Sequence, residues 1–349
     1  MDLTEDQVLE ATLKYYDGNL LTANIIKNKY LHRDLNNNFI DLDPDSLLKR
    51  VSSELARIEK KYPNSLSENV IYSYLKDFKT LIPQGSPLSA IGNKHYIQST
   101  SNCFVGSGIT SETDSYGGIL RADQEIVQIA KRRGGIGQDI SGIRPQGAIT
   151  TNAARKSSGI GSFMERFSNS TNEVAQDGRR GALMLTCSVN HPDIYTFATI
   201  KNDPTKVTGA NISIKLNKDF MEAVKSDIDY YLKFPVDAKL PENIESLDLK
   251  YKELIKIGNM YVKKVKAKDL WNTITYSAWF RAEPGLLFWD NVLDNSPTTV
   301  YPKFKAISTN PCFPASSYLL TNKGYVSFGD LYKEAKDNIV QTDNRVSYM

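Results

Sequence analysis

A chain of 349 residues, 40% hydrophobic and 24% charged, is too long for one ordinary core, so two domains or a barrel with an accessory domain are expected. Its 43 basic and 40 acidic side chains nearly cancel, which removes a strong electrostatic case for nucleic acid or membrane surfaces. Three cysteines, three isolated histidines and no CxxC pair exclude a disulfide framework and argue against a structural zinc site; the acidic, amphipathic start and the lack of a bilayer-long apolar run predict a cytoplasmic protein.

Residues 1–80 read as a helical domain. Thr4 and Gln7 fit a capping box, and Leu9, Leu13 and Tyr16 then recur at helical spacing. Asp43 is a second candidate cap. Leu47, Val51, Leu55 and Ile58 form one stripe, and Pro63 marks its end. Nothing in this stretch suggests catalysis.

Residues 81–311 change character. Short apolar runs at 103–105, 182–187, 207–214 and 285–289 alternate with helical stretches such as "ADQEIVQIAKRR". That alternation predicts an α/β arrangement with parallel strands. The stretch "KYKELIKIGNMYVKKVKAKDLWNTITYSAWFRAEPG" reads as helices returning to the strand "GLLFWD". Residues 312–349 carry two short β-like runs, "YLLT" and "YVSF", around Gly324. A boundary is expected at Cys312.

Four stretches could carry chemistry. Cys103, in "STSNCFVGSG", begins an apolar run; it is either a buried small hydrophobe or a redox thiol facing a pocket. In "KRRGGIGQDISGIRPQG" the glycines let backbone approach a ligand closely, or they form a helix C-cap and turn. Arg132, Arg133 and Arg144 leave a phosphate contact open there. No dinucleotide or P-loop string is present. In "FMERFSNSTNEVAQDGRRGALMLTC" a polar helix precedes a Gly-Arg-Arg-Gly turn and a strand whose Cys187 reads as core. In "STNPC", Asn310 and Cys312 share one side of an extended segment, and Pro311 enforces the extension before a thiol suited to nucleophilic or radical work.

Together, "SPLSAIGNKHYIQSTSNCF", "DSYGGI", "KRRGGIGQDISGIRPQG", "FMERFSNSTNEVAQDGRRGALML", "KVTGANISI", "EPGLLFWDN" and "STNPC" resemble the large, catalytic subunit of ribonucleotide reductase. The resemblance implies a helical domain (1–80), the first half of a ten-stranded α/β barrel (81–311), and reduction of ribonucleotides by thiyl radical chemistry. It implies that Cys103 is half of the active-site redox pair, that Cys312 carries the thiyl radical and that Asn310 binds the ribose. It places Ser86, Asn102 and Gly135 in the substrate pocket, and Asp114 and Arg144 in a site for an allosteric deoxynucleoside triphosphate or ATP. It implies no metal in this chain, a radical from a di-metal small subunit with adenosylcobalamin as the competitor, a homodimer, and thioredoxin or glutaredoxin as reductant.

The departures from the family also count. Pro314 stands where a glutamate is expected, the N-terminus is short for an ATP-cone domain, and the second redox cysteine and the shuttle cysteines have no counterpart. From Cys312 onward, "CFPASSYLLTNKGYVSFGDL" resembles the start of an intein: a cysteine, a small polar turn, a strand, a glycine turn and a second strand. That implies a splice junction at Pro311–Cys312 and a partner chain bearing the C-terminal half of the subunit behind the rest of a split intein. Non-covalent assembly of two halves, or a remnant that only binds effector or dimerises, remain alternatives.

Overall fold

The computed structural model describes residues 3–174, 181–250, 253–302, 304, 306–310, 318–321 and 324–327. The chain divides into two compact units, Met1–Asn310 and Pro311–Met349.

The first unit opens with helices α1 (Glu5–Tyr15), α2 (Leu20–Lys29), α3 (Pro44–Glu59), α4 (Glu68–Leu75) and α5 (Gly85–Ala90). Local chemistry sets their starts. Thr4 and Gln7 close a reciprocal capping box on α1, and Asp43 and Ser46 do so on α3, with Pro44 at its first position. The buried face of α1 is carried by Val8 and Thr12 rather than by the expected Leu9, Leu13 and Tyr16, which are half-buried. In α3, Leu47, Leu48 and Val51 are sealed from solvent. These helices share one apolar cluster with Leu31, Ile71, Leu75 and Leu88.

A five-stranded parallel sheet follows: β1 (Cys103–Val105), β2 (Gly135–Asp139), β3 (Leu183–Ser188), β4 (Asn211–Leu216) and β8 (Gly285–Phe288), in the spatial order β1-β2-β3-β4-β8. The connections carry α6 (Tyr116–Ala130), α7 (Ile160–Glu173), α8 (Ile194–Thr199), α9 (Lys218–Lys225) and α10 (Ala267–Arg281), and α11 (Trp289–Asn295) follows β8. Between β4 and β8 lies a second, antiparallel sheet of β5 (Asp229–Phe234), β6 (Ile255–Ile257) and β7 (Met260–Lys266), in the order β5-β7-β6. The expectation of helices throughout 250–284 therefore fails in its first half. Ile255 and Ile257 alternate with lysine across a Gly258-Asn259 turn, a hairpin pattern that outweighs the helix-forming lysines.

Strand residues alternate sides with a period of two. Ile136, Leu185, Cys187, Ile212 and Ile214 enter the main core with Ile126, Phe167 and Phe197. The opposite face is largely polar or bare: Gly135, Gly137 and Asp139 on β2, Thr186 on β3, and Ser213 and Lys215 on β4, with Met184 and Leu287 as apolar members. Parallel sheets usually bury apolar side chains on both faces, so this polar face marks where the protein does something other than pack. In the second unit, β9 (Tyr318–Thr321) and β10 (Gly324–Ser327) form an antiparallel hairpin, with Thr321 opposite Gly324. Among the described residues no helix is long and apolar enough to cross a membrane.

Candidate active site

Residues 306–310 run along the polar face against the direction of β2. The Ser308 hydroxyl lies 3.0 Å from the Thr186 hydroxyl. The Thr309 carbonyl stands 2.1 Å from where a Cβ on Gly137 would be, and the Asn310 amide nitrogen 3.2 Å from a Cβ on Gly135. The glycines of β2 form a bare lane, and the backbone that approaches them closely is the chain's own. The helix cap and turn read for this stretch fall at 131–134, where the Gly134 amide donates back to the Ile129 carbonyl at 3.1 Å, while Gly135 and Gly137 lie in a strand.

The lane brings several of the sequence-derived candidates together. Cys103 pairs with Gly135 in the β1–β2 register and is exposed. The Asn102 carbonyl accepts from the Gly135 amide at 2.6 Å, and its side-chain oxygen accepts from the Ser86 amide at 2.9 Å. Ser86 is fully buried, and its hydroxyl donates to the Arg133 carbonyl at 3.0 Å. Asn310 reaches the Phe104 carbonyl at 3.5 Å. Ser86, Asn102, Cys103, Gly135 and Asn310 thus share the amino-terminal end of β1 and β2. Pro311, Cys312 and the Arg179–Arg180 turn lie outside the described residues.

At the carboxyl end, Lys215 donates to Asp139 at 2.8 Å and to the Ile307 carbonyl at 3.3 Å. Its ammonium lies 4.7 Å from the centre of the Trp289 ring, within cation–π range. Asp139 also accepts from Ser141 at 2.7 Å and Thr186 at 3.2 Å. Asp139, Ser141 and Thr186 fall inside the quoted motif strings but are not among the candidate site residues, and Lys215 lies just past the string ending at Ile214. The signal that could have found them is the polar alternation within "NISIKL".

Asp114 and Arg144 meet elsewhere. The Arg144 Nε donates to an Asp114 carboxylate oxygen at 2.6 Å, its Nη2 to the Asp114 carbonyl at 3.2 Å and its Nη1 to the Ile149 carbonyl at 2.9 Å. The pair lines a cleft of about 290 Å³ shared with Phe234, Pro235, Lys256, Asn259 and Tyr261. Tyr261 accepts from the Ile149 amide at 2.9 Å, which ties the hairpin to the arginine loop. Arg132 is engaged by Gln128, and Arg133 by the Lys29 carbonyl.

Burial governs the remaining titratable groups near the sheet. It pushes the Cys187 thiol well above its ordinary range, with Asp139 adding to the shift, so Cys187 is inert core. It lowers the pKa of His191, which donates from Nε2 to the Ile143 carbonyl at 2.7 Å and accepts at Nδ1 from the Asp193 amide at 3.0 Å.

The first unit thus combines a parallel α/β sheet, a polar face crossed by an asparagine-bearing segment, and an exposed cysteine at the start of its edge strand. Residues 101–318, more than half of the chain, match the family described as ribonucleotide reductase, barrel domain. The chain belongs to that family. It is 30% identical over 259 residues to the vitamin B12-dependent ribonucleoside-diphosphate reductase of Thermoplasma acidophilum, covering 73% of this chain and 30% of that protein. It is 28% identical over 241 residues to the ribonucleoside-diphosphate reductase NrdEB subunit alpha of Bacillus subtilis, covering 66% and 22%. It is 25% identical over 267 residues to the vitamin B12-dependent enzyme of Mycobacterium tuberculosis, covering 75% and 33%. The chain thus spans between about a fifth and a third of these relatives. The family match runs past Cys312, to residue 318.

These relatives overturn one expectation. Two of the three are named vitamin B12-dependent, so a di-metal small subunit does not stand as the radical source. The physical reason is that the strand and cysteine motifs position a thiol and carry no ligand for either radical generator. Two clefts among the described residues, of about 110 and 290 Å³, fall at or below the size that holds a drug-like ligand. Neither is large enough for a corrin.

Proposed function

We propose that this chain supplies the amino-terminal part of a ribonucleotide reductase large subunit, reducing ribonucleoside diphosphates once it is joined to the carboxyl-terminal half. The observation that carries this reading is the 306–310 segment laid along Gly137 and Gly135, which brings Asn310 to the strand that starts at Cys103. In this reading a thiyl radical on the cysteine that follows Pro311 (the partner chain's first residue once Cys312 has left with the intein, Cys312 itself if the halves assemble without splicing) removes the ribose 3′ hydrogen, the 2′ hydroxyl leaves as water, and two thiols become a disulfide as they supply two electrons. Cys103 is one of those thiols, and the other comes from the second half. Asn310 holds the ribose hydroxyls, while Ser86, Asn102 and Gly135 shape the pocket. A thioredoxin- or glutaredoxin-type protein restores the thiols.

Asp114 and Arg144 are assigned to a nucleotide effector site that tunes a homodimer. The outer side of β8 has no strand partner among the described residues. The nearby helix α10 exposes Tyr276, Trp279 and Phe280. Both features favour a further layer of protein there, supplied by the missing half.

The joining is assigned to trans-splicing. Cys312 would attack the Pro311 carbonyl in an N-to-S acyl shift, the first step of intein chemistry. The β9–β10 hairpin around Gly324 favours this reading. The test is peptide mass spectrometry across Asn310-Pro311 in protein from its native source. A cysteine followed by residues other than Phe313-Pro314 establishes splicing. A junction found solely as "PCFPASS" leaves non-covalent assembly or a remnant.

A further inference from the structure

We infer that Lys215 and Asp139 are positioning residues: with Thr186 they clamp the segment that ends in Asn310 to the polar face of the sheet. The inference rests on the reductase reading for its catalytic consequence, while the clamp itself is read from geometry.

The pair is largely enclosed, with the lysine side chain 10% and the aspartate side chain 14% exposed. An ion pair in such a place seldom outperforms an apolar pair of the same volume, because both charges lose water. Its distinguishing capacity is directional: it can hold something that an apolar pair cannot. Here the ammonium spends its reach on Asp139, on the Ile307 carbonyl and on the Trp289 ring face.

The proton order along the other arm follows from Asp139 being an acceptor. Thr186 donates its one hydroxyl proton to Asp139, so its lone pair is left to accept from Ser308. Ser141 donates to the same carboxylate oxygen, and its own oxygen accepts from the Ser188 amide at 2.8 Å. The carboxylate is thus fixed from β3 and from the loop after β2. Two consecutive residues are gripped from two strands: the carbonyl of Ile307 by Lys215 on β4, and the hydroxyl of Ser308 by Thr186 on β3. Two residues later the segment delivers Asn310 to Gly135. Polar networks of this kind rigidify when every member is satisfied.

The test is amide hydrogen exchange on the full chain, comparing wild type with Lys215→Met, Thr186→Val and Ser308→Ala. A peptide covering 306–310 is expected to exchange about tenfold faster in Lys215→Met and a few-fold faster in the other two, while a peptide covering β3 stays unchanged in Ser308→Ala. Lys215→Arg should restore part of the protection. Should Lys215→Met fail to fold, the Thr186 and Ser308 variants decide alone. Unaltered exchange of 306–310 in the variants that fold overturns the clamp. In the assembled enzyme the same variants should lower kcat in step with the faster exchange. A wild-type assembly without reductase activity would sink the functional reading and leave the exchange result standing.

Discussion

The carbonyl of Thr309 occupies the space a side chain on Gly137 would need: a Cβ there would lie 2.1 Å from the oxygen and 2.8 Å from its carbon. Contacts that short cannot be relieved by turning a side chain, since the obstacle is backbone. Gly137→Ala must therefore either push the 306–310 segment away or distort β2. The expected cost is about 1–3 kcal/mol, as for other overpacked sites, with loss of turnover in the assembled enzyme. Urea unfolding combined with a reductase assay checks both, and a fully active, equally stable alanine variant would refute the placement of the segment.

The two described cysteines should differ sharply in reactivity. Cys103 is exposed at the start of β1, whereas Cys187 is fully buried and its thiol is held protonated by burial. Iodoacetamide at pH 8 should label Cys103 at least about a hundredfold faster than Cys187, and denaturation should erase the difference. Peptide mass spectrometry over a time course reads the two rates. The redox assignment adds a second expectation: Cys103→Ser in the reconstituted enzyme should abolish multiple turnover. Turnover at the wild-type level would remove that role.

What the sequence displayed was what local chemistry controls. Thr4 and Asp43 cap their helices because a cap needs three neighbouring residues and nothing distant. The apolar runs at Cys103, Leu183 and Gly285 became strands because a core on one side rewards them. The strand 135–139 was hidden because glycine has no intrinsic strand preference; its extended form is imposed by neighbouring strands and by the Thr309 backbone, some 170 residues away in sequence. The contact among Lys215, Asp139, Thr186 and Ser308 was equally hidden: three of them sit in separate motif strings, and nothing local says that four segments meet. Asp114 and Arg144 could be placed only by resemblance, and their contact is visible only in the fold.

The contact between Asp114 and Arg144 predicts how effector binding responds to mutation. The guanidinium donates to protein oxygens, two of Asp114 and one of Ile149. The carboxylate therefore sets the arginine's direction at the edge of the cleft. Asp114→Ala should release that constraint and weaken binding of a deoxynucleoside triphosphate or ATP by about tenfold or more, the scale of one lost charged hydrogen bond. Arg144→Lys should not substitute, because a lysine lacks the fork. Calorimetric titration checks both, and unchanged affinity in Asp114→Ala removes the cleft from the effector assignment.

His191 predicts how stability depends on pH. Its ring is fully buried, and both nitrogens are committed: Nε2–H donates to the Ile143 carbonyl and Nδ1 accepts from the Asp193 amide. A second ring proton would set donor against donor at Nδ1, and burial already lowers the pKa. His32 shifts in the same direction, from burial and then from Arg50. With folded pKa values lowered, the unfolded chain binds more protons, so stability is complete above about pH 6.5 and falls as pH drops below it. That window lies above the range in which the surface carboxylates titrate. Scanning calorimetry should show a falling Tm from pH 6.5 to pH 5, with a shallower fall in His191→Gln, which has one fewer group to protonate on unfolding. A histidine variant with the wild-type slope would assign the pH dependence to other groups.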